Sequence, residues 1–280
     1  MSRIYDALKK LEAERSGGAT HQNGHGANGT NGNGNGNGTN GHRRKRMWQR
    51  LFRSGTREVA ATKLSFDLGP EVEEAFQRLG TGLLVGPGLD LANGPRVLGV
   101  TSSQHREGTT TTAGVLGSIL VRRRGTRVVV VEVNYRSPAF ETAFGVMRNG
   151  GFAELVEGKK TIAEVAQQTP VPDLLAITCG HSTLAPSALF DAPGMGAALD
   201  QLREQFAFVI LDLPPVNVYS DTSIVGPRLD AAVLVIEADR TRLPDVERSR
   251  RTLDRVGAKV VGSVLNRRRD YIPSFLEELL

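Results

Sequence analysis

The stretch from Arg96 to Leu120, RVLGVTSSQHREGTTTTAGVLGSIL, constrains the fold of this chain more than any other. An apolar, β-branched run at 97–100 enters a glycine-containing turn and leaves it as a predicted helix. Phosphate-binding loops are built in this order, because backbone N–H groups and the helix N-terminus surround the phosphates of a nucleotide. The usual ending Gly-Lys-Ser/Thr reads Gly108-Thr109-Thr110 here, so the lysine is missing.

The positive charge of the chain is concentrated in its first 58 residues. These hold 11 Lys and Arg against 4 Asp and Glu, whereas the rest of the chain holds 24 against 26. A single cysteine, Cys179, excludes a disulfide framework and is typical of a reducing cytosol. No apolar run reaches the roughly 18 residues that suggest a bilayer-spanning helix. We therefore expect a cytoplasmic protein.

The basic arm begins with two segments of different character. Residues 1–16 predict a short amphipathic helix, because Ile4, Leu8 and Leu11 recur at helical spacing. Such a helix docks either on its own domain or on a partner. Residues 17–42 are rich in Asn and Gly and predict a disordered linker, since they offer too little apolar surface to offset the entropy of ordering.

Residues 43–58 predict a basic amphipathic segment. Cationic and apolar side chains are mixed there: Arg43, Arg44, Lys45, Arg46, Trp48, Leu51 and Phe52. This mixture is typical of a segment that lies on an anionic membrane surface or contacts a membrane-protein partner. Nucleic-acid contact is a less favoured alternative. A basic linker that is solvated and binds nothing is the alternative without a function.

From about residue 70 the pattern becomes that of a globular domain. Predicted strands at 97–100, 128–138, 174–178, 208–212, 231–236 and 259–265 alternate with predicted helices at 70–84, 110–124, 151–157, 161–168, 195–205 and 243–256. This alternation predicts an α/β fold with a mainly parallel sheet flanked by helices. Ligands of such folds bind at the carboxyl ends of the strands.

Polar residues end several of these strands. Asp212 ends a buried strand, where it can hold a Mg²⁺-bound water beside the loop, with Thr110 as the second candidate magnesium ligand. A cap or turn role is the structural alternative. Glu132 and Asn134 lie at another carboxyl end. Asn266 closes the last strand, where it faces a purine edge or serves as a turn residue.

The motifs GVTSSQHREGTTTTAGVLGSIL, VVVVEVNYRSPAF, FAFVILDLPPVNVYSDTSIV and VGAKVVGSVLNR, in this order, resemble the bacterial tyrosine kinase family of capsule and exopolysaccharide systems. The resemblance covers about residues 70–267. It implies a P-loop NTPase-like domain at 70–269 related to the MinD and ParA ATPases, with a C-terminal tail at 270–280. It also implies ATP or ADP and Mg²⁺ as cofactors, a membrane-embedded polysaccharide copolymerase as partner, and a place at the inner face of the cell membrane.

The chain departs from this family at the positions that carry chemistry. Thr109 stands where the family has lysine, and a hydroxyl does not replace that charge. Arg106 stands where the family has a small glycine, and its side chain either approaches the phosphates or obstructs them. The family motif D-x-D-x-R reads Glu132-Val133-Asn134-Tyr135-Arg136, which loses a carboxylate at Asn134. Only Asp212-Leu213-Pro214-Pro215 is intact.

These observations give a set of candidate residues and three hypotheses. The candidate nucleotide-binding residues are Arg106, Gly108, Thr109, Thr110, Thr111 and Asn266, and the degenerate catalytic set is Asp212, Glu132 and Asn134. We expect a pseudokinase-like regulatory or scaffold subunit of exopolysaccharide assembly, with weak or absent ATP binding, which works with the copolymerase and with an active kinase homologue. The alternatives are an active ATPase or tyrosine kinase with a rewired site, and a ParA-like positioning protein on membrane or DNA.

Overall fold

The computed structural model describes residues 64, 66, 69–85 and 96–268. Seven strands in these ranges form one sheet: β1 (Arg96–Ser102), β2 (Val128–Glu132), β3 (Gln167–Gln168), β4 (Leu174–Ile177), β5 (Phe208–Asp212), β6 (Ala231–Glu237) and β7 (Val260–Asn266). Four segments with predictions of their own lie outside the described residues: 1–16, 17–42, 43–58 and 270–280.

Helices fill the connections between the strands. They are α1 (Pro70–Val85), α2 (Thr109–Arg124), α3 (Phe140–Phe144), α4 (Phe152–Val156), α5 (Ile162–Val165), α6 (Pro186–Asp191), α7 (Gly194–Gln205), α8 (Asp221–Val225), a 3₁₀ turn at Gly226–Arg228, and α9 (Leu243–Arg255). None of the helices in the described ranges has the length and apolar character needed to cross a membrane.

The sheet has the strand order β3-β4-β2-β5-β1-β6-β7, and every neighbouring pair is parallel except β3 with β4. The predicted α/β class with a mainly parallel sheet is therefore confirmed. In the register of the sheet, Asp212 lies opposite Val100 of β1 and opposite Glu132 of β2. The loop after β1 and the two acidic residues therefore meet at one carboxyl edge, where ligands of this architecture bind.

The sheet is buried on both faces. All residues of β2 and β5 are buried, which explains why their sequences do not alternate between apolar and polar residues. Helices α1, α2 and α3 pack on one face, and the helices from α4 to α9 contribute to the core on the other. Helix α2 approaches its face closely through Gly117, where an added Cβ would lie 2.8 Å from Leu174 Cδ1.

The structure shortens the predicted strand 128–138, which ends at Glu132, and one predicted helix, and it adds three helices. The helix predicted at 161–168 ends at Val165, since Ala166 is extended (φ −81°, ψ 124°) and the next two residues form β3. Helix α5 is a single turn, started by the reciprocal pair of Thr161 and Glu164. The helices α3, α6 and α8 were not predicted, because five or six residues carry too few repeats of a helical pattern.

We expect the substitution Gly117→Val to lower the free energy of unfolding by about 1–3 kcal/mol, because overpacking forces neighbouring side chains out of place. Its new atoms would meet Leu174 Cδ1 at 2.8 Å and Val130 Cγ1 at 3.3 Å. Urea denaturation of the full chain measures the change. Gly196→Ala in α7 is the matched control, since its Cβ would meet nothing within 4 Å and alanine favours a helix. Equal effects of the two substitutions would contradict close packing at Gly117.

Candidate functional site

The loop between β1 and α2 has a conformation that requires glycine at its end. Gly108 has a φ of 102°, in the left-handed region, and its carbonyl accepts the N–H of Thr112 at 2.9 Å. A Cβ at Gly108 would also lie 2.1 Å from Asn266 Nδ2, at the end of β7. Gly108 is therefore needed both for the turn and for the close approach of the last strand.

The loop is braced from inside by Glu107, which the sequence analysis missed. This side chain is 1% exposed, and its Oε2 accepts the N–H groups of Ser103 at 2.8 Å and Gln104 at 3.2 Å. Its other oxygen accepts the hydroxyl of Thr241, and Asn266 Nδ2 donates to the Glu107 carbonyl at 2.9 Å. The only signal in the sequence was an acidic residue inside a loop of phosphate-binding pattern. These contacts hold the loop in one shape without a ligand.

Asp212 lies behind the loop rather than at its surface. Its side chain is 1% exposed, and its Oδ2 accepts the Thr110 hydroxyl at 2.6 Å. Burial raises the pKa of Asp212 to about 7, and the nearby Glu132 carboxyl adds to this, while the hydroxyls of Thr110 and Thr109 oppose it. Among the described residues, Oδ1 has no hydrogen-bond partner. The hydrogen bond to Asp212 thus comes from Thr110, the residue after the lysine position.

Glu132 is fully buried and bound to backbone. Its Oε1 accepts the N–H groups of Ala139 at 2.5 Å and Phe140 at 2.8 Å, and its Oε2 accepts that of Cys179 at 3.0 Å. The carboxyl group therefore ties the end of β2 to the start of α3 and to the segment after β4. Its catalytic role stays a prediction, because each of these contacts is structural.

Asn134 and Arg136 follow β2 and line the cavity beside the loop. Asn134 Oδ1 accepts the N–H of Ser137 at 3.3 Å, so the amide closes a turn. Arg136 donates to the buried carboxyl group of Asp221 at 3.2 Å, and its guanidinium lies 4.9 Å from the ring centroid of Tyr219. Packing on the ring and the ion pair fix the direction of this arginine.

A cavity of about 820 Å³ opens over the loop at the carboxyl edge of the sheet. Five of the predicted nucleotide-binding residues line it: Arg106, Gly108, Thr109, Thr110 and Thr111. Of the remaining candidates, Asn134 lines it too, whereas Asp212, Glu132 and Asn266 are not part of its described wall. The amide of Asn266 binds the Glu107 carbonyl, so its contact with a purine stays a prediction.

Magnesium fits the predicted pair of Thr110 and Asp212 only in part. The two side chains are adjacent, as a shared ion requires, but they offer at most three oxygens besides water, fewer than the six that magnesium takes. In the described part of the chain, no group of three His, Cys, Asp or Glu side chains could hold a metal ion. The assignment of Mg²⁺ to Thr110 and Asp212 stays a prediction.

The strand–loop–helix unit and the parallel sheet have the arrangement of the P-loop NTPase fold. No protein-family model matches the chain. In sequence, the chain is 25% identical over 150 residues to the putative tyrosine-protein kinase CapB of Staphylococcus aureus, covering 54% of this chain and 66% of CapB. It is 26% identical over 217 residues to the tyrosine-protein kinase CpsD of Streptococcus pneumoniae serotype 4, covering 76% of this chain and 90% of CpsD.

Solved structures show the same fold. The kinase domain of the Escherichia coli tyrosine kinase ETK superposes with a TM-score of 0.65 at 23% identity, covering 72% of this chain and 78% of that one. The cell division ATPase MinD of Pyrococcus furiosus gives a TM-score of 0.51 at 20% identity, over 65% and 78% of the two chains. A cobyrinic acid a,c-diamide synthase of Mycobacterium smegmatis with bound ADP and magnesium gives 0.53 at 19%, over 61% and 74%.

The chain is therefore similar in sequence to bacterial tyrosine-protein kinases, and it shares its fold with the kinase domain of ETK and with MinD. This confirms the resemblance of the ordered motifs.

The raised pKa of Asp212 gives stability a defined pH dependence. In the unfolded chain this group ionises near its ordinary pKa of 3.8, whereas in the folded chain it keeps its proton up to about pH 7. As pH rises through this window, the unfolded state loses the proton first, so the folded state loses up to about 4 kcal/mol of relative stability. We expect Asp212→Asn to remove this loss. The difference between the melting temperature of the variant and that of the wild type is therefore expected to shift in favour of the variant as the pH rises from 4 to 7.

Thermal denaturation at intervals between pH 4 and 8.5 measures this difference. The exposed Asp200 of α7 supplies the control Asp200→Asn, which removes a carboxyl group without changing a buried site. A gap between Asp212→Asn and wild type that stays constant with pH would contradict the prediction.

Glu132→Gln is expected to lower the free energy of unfolding by about 1.5–3 kcal/mol, because hydrogen bonds to a charged acceptor are lost. The amide –NH₂ of glutamine would also face backbone N–H groups where a carboxylate oxygen now accepts them. Chemical denaturation measures the loss, with Glu204→Gln at an exposed position of α7 as the control. Unchanged stability of Glu132→Gln would show that the carboxyl group is not a structural anchor.

Proposed function

We propose that this chain is a pseudokinase-like regulatory or scaffold subunit of exopolysaccharide or capsule assembly and export. The observation that carries the proposal is the combined loss of the charges that phosphoryl transfer uses. Thr109 occupies the lysine position, Asn134 is an amide, and the Glu132 carboxyl group accepts three backbone N–H groups. Asp212 is the one carboxyl group of the predicted catalytic set that keeps a hydroxyl neighbour beside the loop.

The size of the lost electrostatic interaction between lysine and phosphate supports an inactive site. A lysine ammonium about 4 Å from a phosphate contributes up to about 4 kcal/mol at an effective dielectric constant near 20. This corresponds to roughly a thousandfold in affinity or rate. The hydroxyl of Thr109, which lines the cavity, carries no charge.

The proposed partners follow from the relatives. CpsD is a tyrosine-protein kinase and CapB a putative one, and from the resemblance to kinases of polysaccharide systems we propose that this chain contacts a membrane-embedded polysaccharide copolymerase at the inner face of the cell membrane. An active kinase homologue is the second proposed partner, since a chain without phosphoryl transfer would act through one that has it. The basic segment 43–58 is the proposed contact with the membrane or the copolymerase.

An active ATPase or tyrosine kinase with a rewired site is the second candidate function. It is favoured by Arg106, whose guanidinium is exposed at the cavity and would have to replace the lysine. In that case Asp212→Asn would abolish turnover of the wild-type chain.

Turnover and complementation separate the two functions. With ATP and Mg²⁺, the full wild-type chain is expected to release phosphate and to autophosphorylate no faster than Asp212→Asn. The reason is that the wild-type site lacks the lysine charge at Thr109 and the carboxylate at Asn134. In a strain without the chain, Asp212→Asn is expected to restore polysaccharide export as well as wild type does. Wild-type turnover that is lost in Asp212→Asn, together with failed complementation, would establish the rewired enzyme instead.

A further inference from the structure

The wall of the cavity is cationic. Four arginines line it, namely Arg106, Arg136, Arg240 and Arg267, together with His105. Within the described ranges of the chain, neither aspartate nor glutamate contributes to this wall. A site for Mg-nucleotide normally presents acidic side chains beside the phosphate loop, so this cavity has the opposite charge pattern.

Two carboxyl groups outside the wall neutralise part of this charge. Asp221, which is 1% exposed, pairs with Arg136 at 3.2 Å. Glu237 at the end of β6 pairs with Arg240 at 2.6 Å and with Arg267 at 2.8 Å. Four guanidinium groups thus face two carboxylates, and the surplus of two positive charges would favour an anionic ligand.

Arg106 supplies one of the unbalanced charges. No described residue forms a hydrogen bond or ion pair with its side chain, which is exposed at the cavity. Its φ is 64°, in the left-handed region that favours glycine and costs other residues roughly 1 kcal/mol or more. The loop therefore holds an arginine at a position where glycine would be the more stable residue, and a cation beside the phosphates is a reason for keeping it.

The acidic residues that would position a magnesium ion lie behind this wall. The Asp212 carboxyl group is engaged by Thr110, and that of Glu132 is engaged by three backbone N–H groups. Asn134, which does line the cavity, carries no charge. In the described ranges, magnesium would find beside the loop only the Thr110 hydroxyl and the buried Asp212 carboxyl group, whose Oδ1 has no partner there, whereas the four arginines fit a phosphate chain well, since arginine binds phosphate oxygens in bidentate pairs.

We propose that this cavity binds a nucleoside di- or triphosphate through arginine side chains and loop N–H groups, without a divalent cation. The proposal rests on the pseudokinase function, because it names the ligand of the same site. Arg106 contributes positive charge to binding, and the cationic wall replaces the charge that magnesium would bring, while phosphoryl transfer is still prevented by the losses at Glu132 and Asn134. The bound nucleotide is a stabilising ligand and is not turned over.

Isothermal titration calorimetry of the full chain tests the proposal. ADP and ATP are titrated once in EDTA and once in excess Mg²⁺. Inorganic tripolyphosphate is titrated in EDTA to measure how much of the binding free energy comes from the phosphates. We expect the dissociation constants in EDTA to be equal to or lower than those in Mg²⁺, because the metal would neutralise the phosphates that the arginines bind. Binding that requires Mg²⁺, or no binding of any of the three probes, would overturn the proposal.

Arg106→Gly removes the charge and suits the backbone. We expect it to weaken ADP binding in EDTA by about tenfold or more while leaving the melting temperature unchanged or higher. Arg250→Ala, at an exposed position of α9, is the control for a lost positive charge away from the cavity. Equal affinities of Arg106→Gly and Arg250→Ala would remove Arg106 from the site.

The two proposals fail separately. Turnover with Mg²⁺ would overturn the pseudokinase function, even if binding in EDTA were retained. Absence of nucleotide binding would overturn the cationic site but would leave a scaffold function intact.

Discussion

The hydrogen bond between the Thr110 hydroxyl and the Asp212 carboxyl group is the contact on which the site depends. It joins the first turn of α2 to the end of β5, in the centre of the sheet. Because Asp212 is buried, this contact is formed in a medium of low dielectric constant, where both the gain from pairing and the cost of ionisation are large. The loop before α2 is therefore held from below by Asp212 and from within by Glu107.

The overall fold could be predicted from the sequence for a simple reason. Strands such as 128–132 and 208–212 are buried on both faces, so they appear as continuous apolar runs, and the residues that end them mark the ligand-binding edge. The short elements were not accessible, because Phe140–Phe144 has five residues and Gln167–Gln168 is defined only by its pairing with β4. The bonding of Glu132 depends on N–H groups that lie up to 47 positions away in the chain, which no local pattern records.

Similarity to tyrosine kinases and departure from their chemistry are compatible in one chain. The matches in fold depend on the sheet and on the packing of its helices, and these are set by buried apolar residues that the site does not involve. The charged residues at the loop are not part of that core. A comparison of folds consequently identifies the relatives, while the roles of Thr109, Asn134 and Arg106 have to be judged from their own contacts.

The contact between Asn266 and the loop has a consequence for the order of synthesis. Asn266 donates to the Glu107 carbonyl across a separation of 159 residues, and it occupies the space that a side chain at Gly108 would need. During translation, the loop emerges from the ribosome long before the strand that completes its support. A nascent chain that ends before β7 lacks this brace, so the support of the loop is one of the last features of the domain to be completed.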